Sequence, residues 1–237
     1  MFTFLVTTTI FAYYGINAAI LIYGMAVAGL LLFYLVFKRY LVMTFWATME
    51  ILSRLRHSYK YVGLENIPKD SAVLLLGNHV SWLDWIVVQL PISRRVNFLM
   101  DKEIYNWFGF HHVFKCGEVI PVSPKASKDA FKEAHNRLLD GRIVALYPEG
   151  EITKNGELGK FYRGYELIKT DYDGVIVPYF IDGMFGSSFS KYKKGKKKSI
   201  FAKREITVYF SYPVPKETKA DELKDIIQEL KDKYEVK

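Results

Sequence analysis

The first 37 residues contain no charged side chain, and within them residues 18–37, AAILIYGMAVAGLLLFYLVF, form an unbroken run of apolar or small residues. A helix rises about 1.5 Å per residue, so this run is long enough to cross a hydrocarbon layer of about 30 Å. It predicts a membrane helix. Residues 2–14 are also apolar but too short to span unless they continue through Gly15 and Asn17. They read as a half-helix, a hairpin partner or a truncated span. A cleaved signal peptide competes with this reading, because Ala26-Val27-Ala28 has small-x-small spacing. Against it, no basic residue precedes the run, and the run continues past that site. Arg39, Arg54, Arg56 and Lys60 follow, with residues 41–55 reading as an interfacial amphipathic helix. The charge asymmetry predicts a cell-membrane protein whose remainder lies on the cytoplasmic side. The uncharged start would also suit an origin in a larger membrane protein.

Beyond the anchor, composition excludes several classes. At 50% hydrophobic and 16% aromatic residues the chain is too apolar for a disordered protein. A single cysteine, Cys116, excludes an internal disulfide and any multi-thiolate metal site. No base adjoins it in sequence, so it reads as a bystander thiol. The adjacent His111 and His112 lack the spaced partner that a metal site requires. The net charge of +8 is carried entirely by residues 191–204, which hold eight basic residues and no acid. Such a patch could bind nucleic acid by composition. Beside a membrane helix it fits anionic lipid better, at about 1 kcal/mol per basic residue, and an acidic carrier protein is a third partner of the right charge. No nucleic acid partner is expected.

After Ile67-Pro68, short β-rich runs alternate with helical stretches. Candidate strands are 72–76, 96–100, 119–122, 143–147, 174–179 and 206–210. Candidate helices are 83–90, 102–108, 127–139, 162–170 and 221–234. In the last of these, Leu223, Ile226, Ile227 and Leu230 recur at helical spacing. The alternation predicts an α/β domain with a mixed, mostly parallel sheet. The expected division is 1–60 for the membrane-anchoring helix or helical hairpin and 61–237 for one α/β domain.

Two loops carry the candidate chemistry. Asn78-His79-Val80-Ser81-Trp82-Leu83-Asp84 follows an apolar strand directly, and the carboxyl end of a strand is where open α/β sheets place their sites. An imidazole with an ordinary pKa of about 6.5 can take a proton from an alcohol near neutral pH, and a carboxylate can fix its tautomer. A spacing of five does not align two residues on one helix, so the pair meets only if His79 lies in the loop and Asp84 in the first helical turn. Alternatively, Ser81-x-x-Asp84 is a capping box that satisfies helix amides. The second loop, Tyr147-Pro148-Glu149-Gly150, also leaves an apolar strand by a sharp turn. Both loops would open on the same edge of a parallel sheet.

Together these residues resemble the glycerolipid acyltransferase family, membrane enzymes that acylate glycerol 3-phosphate or a lysophospholipid. The family's first motif, His with Asp five residues on, is met by His79 and Asp84 in the usual setting of Asn78 and Ser81. The third, Phe-Pro-Glu-Gly, appears as Tyr147-Pro148-Glu149-Gly150, and the fourth, an apolar strand with Val-Pro, matches residues 175–178. The second motif keeps Gly117 and its strand but lacks the family's arginine; Lys125 or Lys102 would substitute. The Thr-Arg that usually follows Glu-Gly is Glu151-Ile152 here. The resulting Pro-Glu-Gly-x-Ile-Thr form, ending in Thr153 and with Lys160 and Tyr162 to Gly164 downstream, looks more like the acyltransferase domain of 2-acyl-glycerophosphoethanolamine acyltransferases.

The resemblance implies a membrane-bound lysophospholipid O-acyltransferase with no cofactor. Its acyl donor would be an acyl-carrier-protein or coenzyme A thioester, its acceptor a lysophospholipid, and membrane phospholipids its surroundings. Making phosphatidic acid from 1-acyl-glycerol 3-phosphate is the alternative acceptor reading, and a catalytically idle lipid-binding domain is the rival class. The implied roles are catalysis for His79 and Asp84, with amides near Asn78 and the first turn of the following helix as oxyanion donors. Substrate binding would fall to Asn78, Ser81, Lys102, Tyr147, Pro148, Glu149, Gly150 and Arg163. An ethanolamine headgroup would find a carboxylate in Glu149 or Glu151.

Overall fold

A computed structural model describes residues 2–107, 109–123, 127–187, 189–191 and 204–235. The chain divides into two compact units, 1–47 and 48–237. Helix α1 spans Phe2–Arg56 as one element, so the amino-terminal segment is a single helix and not a hairpin. Within it Tyr13–Phe37 is long and apolar enough to cross a membrane. The second unit begins earlier than the expected residue 61 because β1, His57–Val62, pairs in parallel with β7, Arg204–Phe210. Ser53 and His57 are buried beneath this join, and the Ser53 hydroxyl meets that of Tyr59.

The seven described strands form one sheet. They are β1 and β7 with β2 (Ala72–Gly77), β3 (Val96–Asp101), β4 (Ile120–Val122), β5 (Ile143–Leu146) and β6 (Gly174–Asp182), in the order β1-β7-β6-β2-β5-β3-β4. The β2–β5, β2–β6, β3–β5 and β3–β4 pairs are parallel and only β6–β7 is antiparallel. The sheet is therefore mixed and mostly parallel, as expected. Strand β1 escaped the sequence pattern because HSYKYV is a half-exposed edge strand in which tyrosines alternate with polar residues. The helices of this unit are α2 (Asp84–Gln89), α3 (Lys102–Tyr105), α4 (His111–Cys116), α5 (Ser127–Leu139) and α6 (Ala220–Glu235). The stretch expected as a helix over 162–170 is a tighter 3₁₀ turn, Arg163–Leu167.

Central strands buried on both faces read as continuous apolar runs. In AVLLLG of β2 every residue is buried. Val73 and Leu75 pack in one core with Val87, Val88 and Tyr179. Ala72, Leu74 and Leu76 pack in the other with Ala134 and Leu138 of α5 and Leu223 and Ile227 of α6. The last residue of β2 has to be glycine, because a Cβ on Gly77 would lie 2.3 Å from the Tyr179 ring. Tyr179 is fully buried and has no room to retreat. Gly77→Ala is expected to destabilise the domain by about 1–3 kcal/mol through overpacking, read as a lower thermal midpoint in detergent.

Candidate active site

Strands β2 and β5 are hydrogen-bonded neighbours, with Leu76 opposite Leu146. Their following loops therefore open side by side at the carboxyl edge of the sheet. Asn78 closes the first loop onto β6: its Nδ2 donates to the Ile181 carbonyl at 3.0 Å and its Oδ1 accepts from the Ile181 amide at 2.7 Å. The side chain thus imitates a strand partner after β2 has ended. The Ser81 hydroxyl donates to the Phe189 carbonyl at 3.2 Å and accepts from the Leu83 amide. Both residues are buried, and they hold the loop in shape.

Asp84 is the first residue of α2 and has no exposed surface. Its Oδ2 accepts from the amides of Val80 at 2.7 Å and Ser81 at 2.9 Å, and lies 2.8 Å from His79 Nδ1. One oxygen thus satisfies two loop amides, as the capping reading expects, and also holds the imidazole. An ionised carboxylate only accepts, so Nδ1 carries the proton and Nε2 keeps a lone pair. The amide bonds compensate a charge that would otherwise be costly to bury. The imidazole remains one-fifth exposed. The Tyr147 ring stacks on it with centroids 4.1 Å apart and planes 9° from parallel.

Glu149 is buried and grips the main chain on two sides. One oxygen accepts from the His79 amide at 2.9 Å and the other from the Gly159 amide at 2.8 Å. Burial pushes this carboxyl above its ordinary range, while the His79 and Gly159 amides pull it back. The Thr153 amide donates to the His79 carbonyl at 2.8 Å, so the segment after Glu149 pins both polar groups of the His79 backbone. Gly159 carries no titratable or nucleophilic signal in sequence, and nothing local marked it; Thr153 stood out only as the end of the Pro-Glu-Gly-x-Ile-Thr run. Pro148 is buried and its carbonyl accepts from the Tyr162 amide at 2.8 Å. Gly150 turns with φ +68°, a left-handed value that favours glycine.

Among the amides expected to stabilise an oxyanion, those of residues 79–84 are already engaged. Those of His79, Val80 and Ser81 serve Glu149 and Asp84. Those of Trp82, Leu83 and Asp84 bond the Phe189 carbonyl, the Ser81 hydroxyl and the Ser81 carbonyl. Lys102 is exposed at the end of β3, two strands from β2 in the sheet order, or about 10 Å at the usual strand spacing. Arg163 is exposed and paired with Asp221 at 3.0 Å, not with the His79–Asp84 pair. Lys125 and residues 192–203 of the basic patch lie outside the described residues.

Behind the pair, the hydroxyls of Tyr147 and Tyr179 and the second oxygen of Asp84 are buried without a hydrogen-bond partner among the described residues. The two phenols are neighbours. Burial, then the proximity of Tyr179 and Asp84, pushes the Tyr147 phenol far up. Tyr147→Phe keeps the ring stack and removes one unpartnered buried hydroxyl. It is expected to stabilise the domain by about 1 kcal/mol, read as a higher thermal midpoint with the ring contact to His79 retained.

His79 and buried Asp84, at the carboxyl edge of this sheet, lie within the span that a known family matches. The acyltransferase family model matches residues 58–182, more than half of the chain, and the chain belongs to that family. It is 27% identical over 197 residues to the 1-acyl-sn-glycerol-3-phosphate acyltransferase of Bacillus subtilis (strain 168), covering 79% of this chain and 95% of that one. It is 27% identical over 142 residues to the chloroplastic 1-acyl-sn-glycerol-3-phosphate acyltransferase LPAT1 of Arabidopsis thaliana, covering 58% of this chain and 39% of the plant protein's length. The fold is similar to that of PlsC, the 1-acyl-sn-glycerophosphate acyltransferase of Thermotoga maritima, with TM-score 0.64 and 19% identity over 84% of this chain and 82% of that one.

Proposed function

We propose that this acyltransferase is a 1-acyl-sn-glycerol-3-phosphate acyltransferase that makes phosphatidic acid at the cytoplasmic face of the cell membrane, anchored by α1. The observation that carries the acceptor reading is the relationship to the Bacillus subtilis protein of that name over nearly its whole length. The site chemistry agrees with an anionic headgroup. Glu149, one of the two carboxylates expected to meet an ethanolamine ammonium, has both oxygens committed to backbone amides. The other, Glu151, is exposed and 3.9 Å from Lys154. Glu151 would meet an ammonium only by leaving Lys154. Lys102 and Lys160 are exposed and make no ion pair among the described residues, and either suits a phosphate as a point charge. Arg163 reaches a phosphate only by releasing Asp221.

In this reading His79 Nε2 removes the proton of the acceptor's free hydroxyl as its oxygen attacks the thioester carbonyl. The tetrahedral intermediate then collapses, the C–S bond breaks, and the imidazolium returns its proton to the leaving thiolate. Asp84 stabilises the imidazolium throughout. The test is acyl transfer by purified protein in micelles, offering acyl-carrier-protein and coenzyme A thioesters with lysophosphatidate or lysophosphatidylethanolamine. Phosphatidate as the main product is expected. Acylation of lysophosphatidylethanolamine alone would sink the acceptor assignment.

A further inference from the structure

Helix α6 carries a lysine where its pattern calls for an apolar residue. Leu223 and Ile227 lie one turn apart on the stripe that packs against the sheet, and both are fully buried. Lys231 is the next residue on that stripe, four positions on, and only 5% of its side chain is exposed. An ammonium removed from water is costly unless it is paired. The Lys231 Nζ pairs with the carboxylate of Glu157, a side chain that is 65% exposed. The helix thus reaches from the core to one residue of the segment that follows Glu149.

That segment closes on itself and meets the site at both ends. Within it the Thr153 hydroxyl donates to the Glu157 carbonyl at 2.8 Å, and Asn155 Oδ1 accepts from the Glu157 amide at 3.1 Å. At one end the Thr153 amide holds the His79 carbonyl. At the other the Gly159 amide holds Glu149, whose second oxygen takes the His79 amide. Glu157 therefore stands between the two contacts that fix the His79 backbone. Leu158 beside it and Leu230 beside Lys231 pack against the same core.

We infer that Lys231 is a positioning residue for acyl transfer: its ammonium, carried by α6, fixes Glu157 and with it the turn that holds the His79 backbone in place. Packing alone does not call for a charge here. A methionine would fill the same stripe without the cost of desolvating an ammonium, and a carboxylate that lies mostly in water gains little from an ion pair for its own sake. The inference rests on the reading of His79 as the base and adds a residue that touches neither the imidazole nor the substrate.

The test compares the wild type with Lys231→Met and with Lys231→Met/Glu157→Ala, as full chains in micelles. Lys231→Met is expected to lower kcat about tenfold with KM unchanged, since slack at the base slows the chemistry and removes no substrate contact. Its thermal midpoint should hold or rise, because the carboxylate left behind is solvated. Adding Glu157→Ala should cost little more, as for two residues that act through one link. Hydrogen exchange should quicken about tenfold at the amides of His79 and Gly159 and keep the wild-type rate in β2 and α5. Wild-type kcat, or unchanged exchange at those two amides, would overturn the proposal. A lower midpoint with exchange quickened throughout the domain in both variants would make Lys231 a structural residue and overturn it as well. The base assignment is tested separately by His79→Ala: full activity there would strike the base, whereas the exchange rates report the clamp whether or not His79 reacts.

Discussion

His79→Ala is expected to lower kcat/KM for acyl transfer by about 10³-fold, within the 10²–10⁴ range of a general base, while the protein stays folded. Only the partly exposed ring is lost. The backbone of His79 keeps its bonds to Glu149 and Thr153, since they use the main-chain amide and carbonyl. Asp84 retains two amide donors on Oδ2. The measurement is acyl transfer alongside a thermal midpoint in the same micelles. A variant with full activity would remove His79 from the mechanism; a variant that fails to fold would be replaced by His79→Gln, which keeps much of the volume.

Glu149→Ala is expected to damage both stability and rate. Each charge-assisted bond from a backbone amide is worth about 1.5–3 kcal/mol, and its loss leaves a buried donor unpaired. Two are lost together, at His79 and Gly159, so a destabilisation of about 3 kcal/mol or more is expected. Slack in the His79 backbone should cost about 10²-fold in kcat, as displacements near 1 Å do at catalytic groups. Glu149→Gln should rescue little, because one side of an amide group donates where both neighbours also donate. Gly159→Ala should give a milder version of the same defect, since its Cβ would press on Glu149 Oε2 from 2.9 Å.

The buried carboxyl also has a pH signature. Its folded value lies above the ordinary 4.5, so folding takes up a proton in the window between the two. Its contribution to stability is therefore greatest at low pH and is lost as pH rises through the folded value. The stability advantage of the wild type over Glu149→Gln should therefore grow toward the acid side of that window. Parallel profiles would mean that burial does not set this group's titration.

Much of the fold was legible because it depends on local pattern. Residues 72–76 announce a strand buried on both faces, and Leu223 and Ile227 of the last helix, named by their spacing, are both fully buried. The His79–Asp84 geometry was also legible, since a spacing of five allows contact only across a loop-to-helix junction. The 3₁₀ turn at Arg163–Leu167 was misread as part of a longer helix because one turn of either type shows the same apolar spacing. The roles of Asn78 and Glu149 could not be read locally. Each depends on a partner far along the chain, Ile181 for Asn78 and both His79 and Gly159 for Glu149.

What the sequence by itself determined is the apolar helix, the strand–helix alternation and the pairing of His79 with Asp84, since these follow from side-chain type and spacing along one segment. Tertiary structure decided which amides are spent and which carboxylate is closed to substrate. Those outcomes follow from strand order. Pairing β2 with both β5 and β6 brings loops that lie far apart in the sequence to one edge of the sheet, and hydrogen bonds are satisfied by proximity in space.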